Sequence, residues 1–162
     1  MPIPGLTPDG WLPPGEHECT IDEIGATFGD PEGTDQSGKR RRIMSELRAL
    51  LASDLARELV DHLYVDGSFV SRKSAPNDVD IVLGMRAGAL DSLLSGALVP
   101  QATAILAKLE GKLSERIDGK KLVNGFAAAI GDEKYERMRR WFKSDVRQGG
   151  PQVKGILKVV VL

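Results

Sequence analysis

The chemistry this sequence can do is concentrated in one central stretch. Asp66 to Leu83 reads DGSFVSRKSAPNDVDIVL, in which Gly67 and Ser68 precede Asp78 and Asp80, with nine residues between Ser68 and Asp78. On an extended strand, residues two apart share a face, so Asp78 and Asp80 are expected to hold their carboxylates side by side, with Cα atoms roughly 6 to 7 Å apart. Such a pair can converge on Mg²⁺ or Mn²⁺, cations that take oxygen ligands and leave positions open for phosphate oxygens. Two such ions about 3.5 to 4 Å apart stabilise the attacking and leaving oxygens of an in-line phosphoryl or nucleotidyl displacement. Gly67 lets a ligand approach the backbone closely, and Ser68 adds a hydroxyl beside exposed amides, a cradle for β- and γ-phosphates. Arg72 and Lys73, in the intervening turn, carry the charge to neutralise those phosphates.

The elements that must position these groups are legible around them. His62 to Phe69 reads as a strand, 71–77 with Pro76 as a polar turn, and Val79 to Leu83 as a second strand, which predicts adjacent antiparallel strands. Upstream, Ile43, Leu47, Leu50, Leu51, Leu55 and Leu59 recur at helical spacing and predict one long helix, with Arg48, Ser53 and Glu58 on its outer face. The run Lys39 to Arg42 that leads into it has two readings, a solvated face or the lining of a phosphate-rich site. Thr20-Ile21-Asp22-Glu23 is a capping box opening a short helix that ends near Phe28-Gly29. Residues 1–19, with five prolines and three glycines, form an irregular arm in which neither a helix nor a central strand persists. Trp11 and Leu12 give that arm something to bury.

Downstream, 87–94 and 101–113 read as helices, and Leu122 to Ile130 as strand interrupted at Gly125. A helix capped by Asp132 carries Tyr135, Met138 and Phe142 as its apolar stripe and ends at Gly149-Gly150-Pro151. Val153 to Leu162 is a closing strand. The expected architecture is α/β of the α+β kind, a mixed sheet flanked by helices. It comprises the arm, 1–19, and one domain, 20–162.

Bulk properties bound the possibilities. A chain of 162 residues supports one domain with a real core. A formal net charge of -1 supplies no general attraction to nucleic acid or membrane, so any basic site must be local. The single cysteine, Cys19, rules out an intrachain disulfide framework and a multi-cysteine zinc site. With no apolar run of about 20 residues and no signal-peptide pattern, the expectation is a cytoplasmic protein without a membrane partner.

The order of strand, Gly-Ser, nine residues and Asp-hydrophobic-Asp resembles the signature of the nucleotidyltransferase superfamily, which includes DNA polymerase beta, the CCA-adding enzymes and minimal nucleotidyltransferases of toxin–antitoxin systems. Gly67, Ser68, Asp78 and Asp80 match it. More loosely, the chain resembles a small bacterial branch of that superfamily, in Leu12-Pro13-Pro14-Gly15-Glu16-His17, Gly67-Ser68-Phe69, Trp141-Phe142 and Lys154-Gly155-Ile156. The resemblance implies that Asp78 and Asp80 are metal ligands, that the Gly-Ser turn holds a nucleoside triphosphate, and that a nucleoside monophosphate is moved to a hydroxyl of RNA, protein or a small molecule. It also implies a third carboxylate on a neighbouring strand, where this sequence departs. Asn124 stands where Asp is expected, and an amide is no base at neutral pH. Asp118 is the available substitute, although its Gly-Lys-Lys continuation reads as a turn. The other implied reading is a catalytically degenerate domain that binds nucleotide or a cognate partner protein, as in a toxin–antitoxin or defence pair.

Other residues carry plainer readings. Asp66 reads as a solvent-facing strand end, and Lys154 as a surface lysine or a phosphate contact. Trp141 and Phe142 read as packing. His17 and His62 lack partners at metal-ligand spacing and are assigned no role. Phosphatases and glycosyltransferases with an Asp-x-Asp place it after an apolar strand, whereas here Ile81-Val82-Leu83 follows the pair.

Overall fold

A computed structural model describes residues 2–89, 91, 100, 103–104, 107, 116–117, 120–145 and 152–161. The chain is α+β, built on a five-stranded mixed sheet. The stretch read as an arm supplies its first strand, β1 (Gly15–Cys19), which lies at one edge, where prolines on its N-terminal side break no ladder. Leu12, just before it, is buried in the core.

Thr20 then opens α1 (Ile21–Phe28) with both halves of the capping box in place. Its hydroxyl accepts the Glu23 amide at 3.1 Å, while the Glu23 carboxylate accepts the Thr20 amide at 2.7 Å. The single long helix expected through Leu59 is instead two, α2 (Lys39–Leu51) and α3 (Asp54–Leu59). Ser53 divides them. Its hydroxyl donates to the Leu50 carbonyl at 2.6 Å and accepts the Ala56 amide at 3.2 Å, so it caps α3 and does not face solvent from mid-helix.

The hairpin expected around the central turn is present. β2 (Val60–Asp66) pairs antiparallel with β3 (Val79–Met85), and β3 runs parallel to β6 (Val123–Ala129), which passes through Gly125 without a break. Two short ladders flank these: β4 (Arg116–Ile117) with β5 (Lys120–Lys121), and β7 (Ser144–Asp145) with β8 (Gln152–Val153). The closing strand β9 (Gly155–Val160) lies between β1, to which it is parallel, and β2, to which it is antiparallel. The order across the sheet is therefore β1-β9-β2-β3-β6. Helix α4 (Glu133–Phe142) follows Asp132 and stops before Lys143, short of the Gly-Gly-Pro expected to end it. Of the helices expected over 87–94 and 101–113, only 87–89, 91, 103–104 and 107 are among the described residues, and Gly149 to Pro151 lie outside them.

Strand alternation divides the core in two. Leu63, Val65, Ile81, Leu83, Leu157 and Val159 join Ile24, Phe28, Ile43, Met44, Leu47 and Leu50 on the face covered by α1 and α2. Tyr64, Val82, Ala128 and Ile156 meet Tyr135 and Phe142 of α4 on the other. No helix among the described residues is long and apolar enough to cross a membrane.

Candidate functional site

From His62 on, the even-numbered residues of β2, and those of β3, point to the α4 face, and the register puts Asp66 opposite Asp80 and Asp80 opposite Asn124. Three adjacent strands thus carry a carboxylate, a carboxylate and an amide in one row. Asp78, just ahead of β3, joins it through Asn124, whose Nδ2 donates to Asp78 Oδ2 at 2.6 Å.

Gly67 makes the row possible. Its backbone, at φ 89° and ψ -170°, occupies a region essentially reserved for glycine, and a Cβ there would stand 2.7 Å from Asp80 Oδ2 and 3.2 Å from the Asp80 nitrogen. The chain bends against the carboxylate with no room for a side chain. Ser68 then starts a single 3₁₀ turn, Ser68–Val70, and is buried. Its Oγ accepts the Asn77 amide at 3.3 Å and its carbonyl accepts the Ser71 hydroxyl at 2.7 Å, so this serine ties the two ends of the loop together.

A residue of the basic run holds that loop from outside. Arg40 is buried, and its guanidinium donates to the carbonyls of Phe28 at 2.8 Å, Phe69 at 2.9 Å and Ser71 at 3.1 Å, and also to that of Lys73. It lies 5.6 Å from the Phe69 ring centroid. Neither a solvated face nor a phosphate lining describes it: Arg40 satisfies backbone oxygens that folding would otherwise strand.

Arg72 is turned to the N-terminal segment, its amide donating to the Gly10 carbonyl at 3.1 Å and its guanidinium to Pro8 at 3.3 Å and Thr7 at 3.4 Å. Lys73 is exposed. Among the described residues, Lys154 brings a cation to the row. Its Nζ lies 2.8 Å from Asp66 Oδ2, with side chains only 12% and 7% exposed, and 5.2 Å from the Trp11 ring centroid. The readings of Asp66 as solvent-facing and of Lys154 as a surface residue are thereby corrected. Both follow from β9 pairing alongside β2, a non-local neighbour that a local pattern does not reveal.

Burial pushes the Asp80 carboxyl up to about 6, and the charges of Asp78 and Asp66 push the same way, while Asn124 and Lys154 pull back. Burial and like charge thus both disfavour the ionised form of Asp80. Among the described residues no three His, Cys, Asp or Glu side chains form a ready-made metal cage. The donor set of Asp78 and Asp80, oxygen only and packed against a glycine cradle, suits a hard divalent cation that keeps some waters and completes its shell from a bound phosphate. Asp118 lies outside the described residues, and the strand neighbour of Asp80 on that side is Asn124.

Residues 4–160 match the model of a family of unknown function, DUF6932. The chain belongs to that family. No curated protein and no solved structure matches it. The stretch shared with the DUF6932 model includes Trp11, the whole row and Lys154.

Two clefts among the described residues of this DUF6932 chain lie away from the carboxylates. One of about 870 Å³ is lined by Cys19, Ile21, Leu51 and Val159 to Val161 at the other end of β9, and burial lifts the Cys19 thiol to about 12, which removes it as a nucleophile. Another of about 350 Å³ lies behind the loop, against Arg40, Arg72 and Lys73. Of the residues that sequence reading passed over, Asp66 left one signal, its place directly before the glycine on the same strand face as His62 and Tyr64. Arg40, Trp11 and Lys154 were named there only in other readings, because the contacts they make depend on distant segments meeting.

Proposed function

We propose that this chain is a Mg²⁺- or Mn²⁺-dependent nucleotidyltransferase, which binds a nucleoside triphosphate and moves its nucleoside monophosphate to a hydroxyl of RNA, protein or a small molecule in the cytoplasm, releasing pyrophosphate. The observation that carries this reading is the meeting of Asp78, Asp80 and the Gly67 turn at one end of the central hairpin. A bound divalent ion would supply the positive charge that a triphosphate and its developing transition-state charge require. Asp78 and Asp80 would hold that ion. The Ser68 hydroxyl, already accepting from Asn77, keeps its own proton to donate to a phosphate oxygen. Arg40 fixes the loop so that these groups are preorganised.

The test is incubation with each α-labelled nucleoside triphosphate and Mg²⁺, following label transfer and pyrophosphate release. Transfer by the wild type that vanishes in Asp78→Ala and Asp80→Ala supports the reading. Transfer that survives both substitutions rejects it.

One observation favours a second reading. Asn124 donates a hydrogen bond to Asp78 and offers no base, in the position where the resemblance calls for a carboxylate. On that reading the chain binds nucleotide, or a partner protein, without turnover. Metal-dependent binding with no transfer, and transfer gained by Asn124→Asp, would select it.

A further inference from the structure

The outer face of α4 has no place in the chemistry derived above. Tyr135 and Phe142 are buried against the sheet, and Arg139 turns aside to Glu16 and Glu136. The face left over carries Arg137, Arg140, Trp141 and Lys134, all exposed, with Glu133 in the first turn. Lys134 also donates to the Ala127 carbonyl at 3.3 Å. Residues 134, 137 and 141 follow one another at helical spacing and form one stripe, with Arg140 beside it. The macrodipole favours cations late in a helix. It gives no reason for a half-exposed indole among them, whose apolar surface is costly in water.

The stripe leads to the carboxylate row. Strand β6 begins beside the row at Asn124 and runs away from it, and α4 returns over the same sheet face. Its last turn is fastened at the row end. The Trp141 carbonyl accepts the Ser144 hydroxyl at 2.8 Å, and the Lys143 carbonyl accepts the amide of Lys154 at 2.9 Å, the residue whose ammonium reaches Asp66. Val153, directly before Lys154 and opposite Ser144 in the β7–β8 ladder, is a second exposed apolar side chain on this connection.

In a chain of formal net charge -1, attraction to a polyanion has to be local. Arginines around an exposed aromatic plane suit single-stranded nucleic acid, because the cations meet phosphates and any base can stack on the ring. An acidic protein segment would use the cations and leave the indole unused. We propose that the outer face of α4 docks single-stranded RNA and delivers its terminal hydroxyl to the carboxylate row. This rests on the nucleotide-site reading above and names the acceptor left open there. The hydroxyl oxygen of the RNA forms a bond to the α-phosphorus as the bond to the β-phosphate oxygen breaks. Pyrophosphate leaves with that electron pair, and the hydroxyl proton passes to water.

The experiment is fluorescence anisotropy of an end-labelled single-stranded RNA of about 12 nucleotides, titrated with the full chain at several salt concentrations. The wild type is expected to bind, more weakly as salt rises. Trp141→Ala should weaken binding about 10-fold or more at every salt concentration. Arg137→Gln combined with Arg140→Gln should weaken it and also flatten the logarithmic salt dependence by about 1.4, or roughly 0.7 per cation removed. These positions are exposed, and Mn²⁺-dependent binding of a non-hydrolysable triphosphate analogue, expected to be unchanged in both variants, checks that they fold. No RNA binding by the wild type, or equal binding by the wild type and both variants, overturns the proposal, and the nucleotide site stands if the analogue still binds. Polyglutamate that displaces the RNA at equal charge, with Trp141→Ala binding RNA as the wild type does, identifies a face for acidic protein and overturns it as well. A wild type that binds RNA but no analogue in Mn²⁺ overturns the nucleotide-site reading, and the role of RNA as acceptor with it.

Discussion

Two polar regions lie on the α4 face of one sheet, and they are electrostatic opposites. At the β1 edge, Glu16 accepts from Tyr64 at 2.8 Å and from Arg139 at 2.6 Å, and pairs with Lys143. Burial alone would raise its carboxyl, yet the hydrogen bonds from Lys143, Tyr64 and Arg139 prevail and hold it at about 2. The network continues inward. Tyr135, whose hydroxyl is 3.4 Å from that of Tyr64, lies 2.6 Å from His62 Nε2, and His62 Nδ1 lies 2.7 Å from Asp61. At the hairpin end, Asp80 is raised to about 6 instead, by burial and by like charges. The first region is what a structural polar cluster becomes when every acceptor is matched. In the second, burial and the like charges of Asp78 and Asp66 oppose ionisation of Asp80.

That contrast can be broken by substitution, and the largest effect is expected at Asp80. Asp80→Asn removes a ligand and should weaken Mn²⁺-dependent nucleotide binding by about 100-fold or more, roughly 2.7 kcal/mol. The same change relieves a buried like-charge contact, so the unliganded protein should become more stable, on the order of 1 to 3 kcal/mol in a denaturant melt at pH 7. Gly67→Ala should lose about 1 to 3 kcal/mol of stability and much of the binding, because its Cβ would press on Asp80 from a strained backbone. Glu16→Gln should do the reverse of Asp80→Asn. It is expected to cost about 1 to 2 kcal/mol, reduced from the full shift because solvent reaches the carboxylate, and to leave nucleotide binding unchanged.

The smallest effect is the opposite pH dependence of the two regions. Asp80 has its folded value above the usual carboxylate range, so its contribution to stability is complete below pH about 4 and is lost as pH rises through about 6. Glu16 has its folded value below that range, so its contribution is complete above pH about 4.5 and is lost as pH falls through about 2. Stability measured from pH 3 to 7 should therefore show the rising-pH loss disappear in Asp80→Asn and the acid loss shrink in Glu16→Gln.

How much of this could be read from the chain follows from how local each signal is. The hairpin, the capping box at Thr20 and the tyrosine-phenylalanine stripe of α4 are set within a few residues, and their patterns are in the sequence. Ser53 misled because a hydroxyl in a helical pattern looks like an outer-face residue until its capping bonds are seen. Trp141, read as packing beside Phe142, is half exposed while Phe142 is buried, since only one of two consecutive helical residues can face the sheet. In the candidate site, Gly67, Ser68, Asp78 and Asp80 were legible as a spacing. The burial of Asp66 and of the Lys154 side chain was not, because it follows from the insertion of β9 between β1 and β2, which joins the two ends of the sequence at one side of the sheet.

The measurement that bears most directly on the site is a calorimetric titration of a non-hydrolysable nucleoside triphosphate analogue into the wild type and Asp78→Ala, with Mn²⁺ and with excess EDTA. Binding to the wild type in Mn²⁺ alone, weakened about 100-fold or more in Asp78→Ala, is the predicted result. Equal affinity in all four titrations, or no binding in any, would contradict the assignment of the carboxylate row as a metal and nucleotide site.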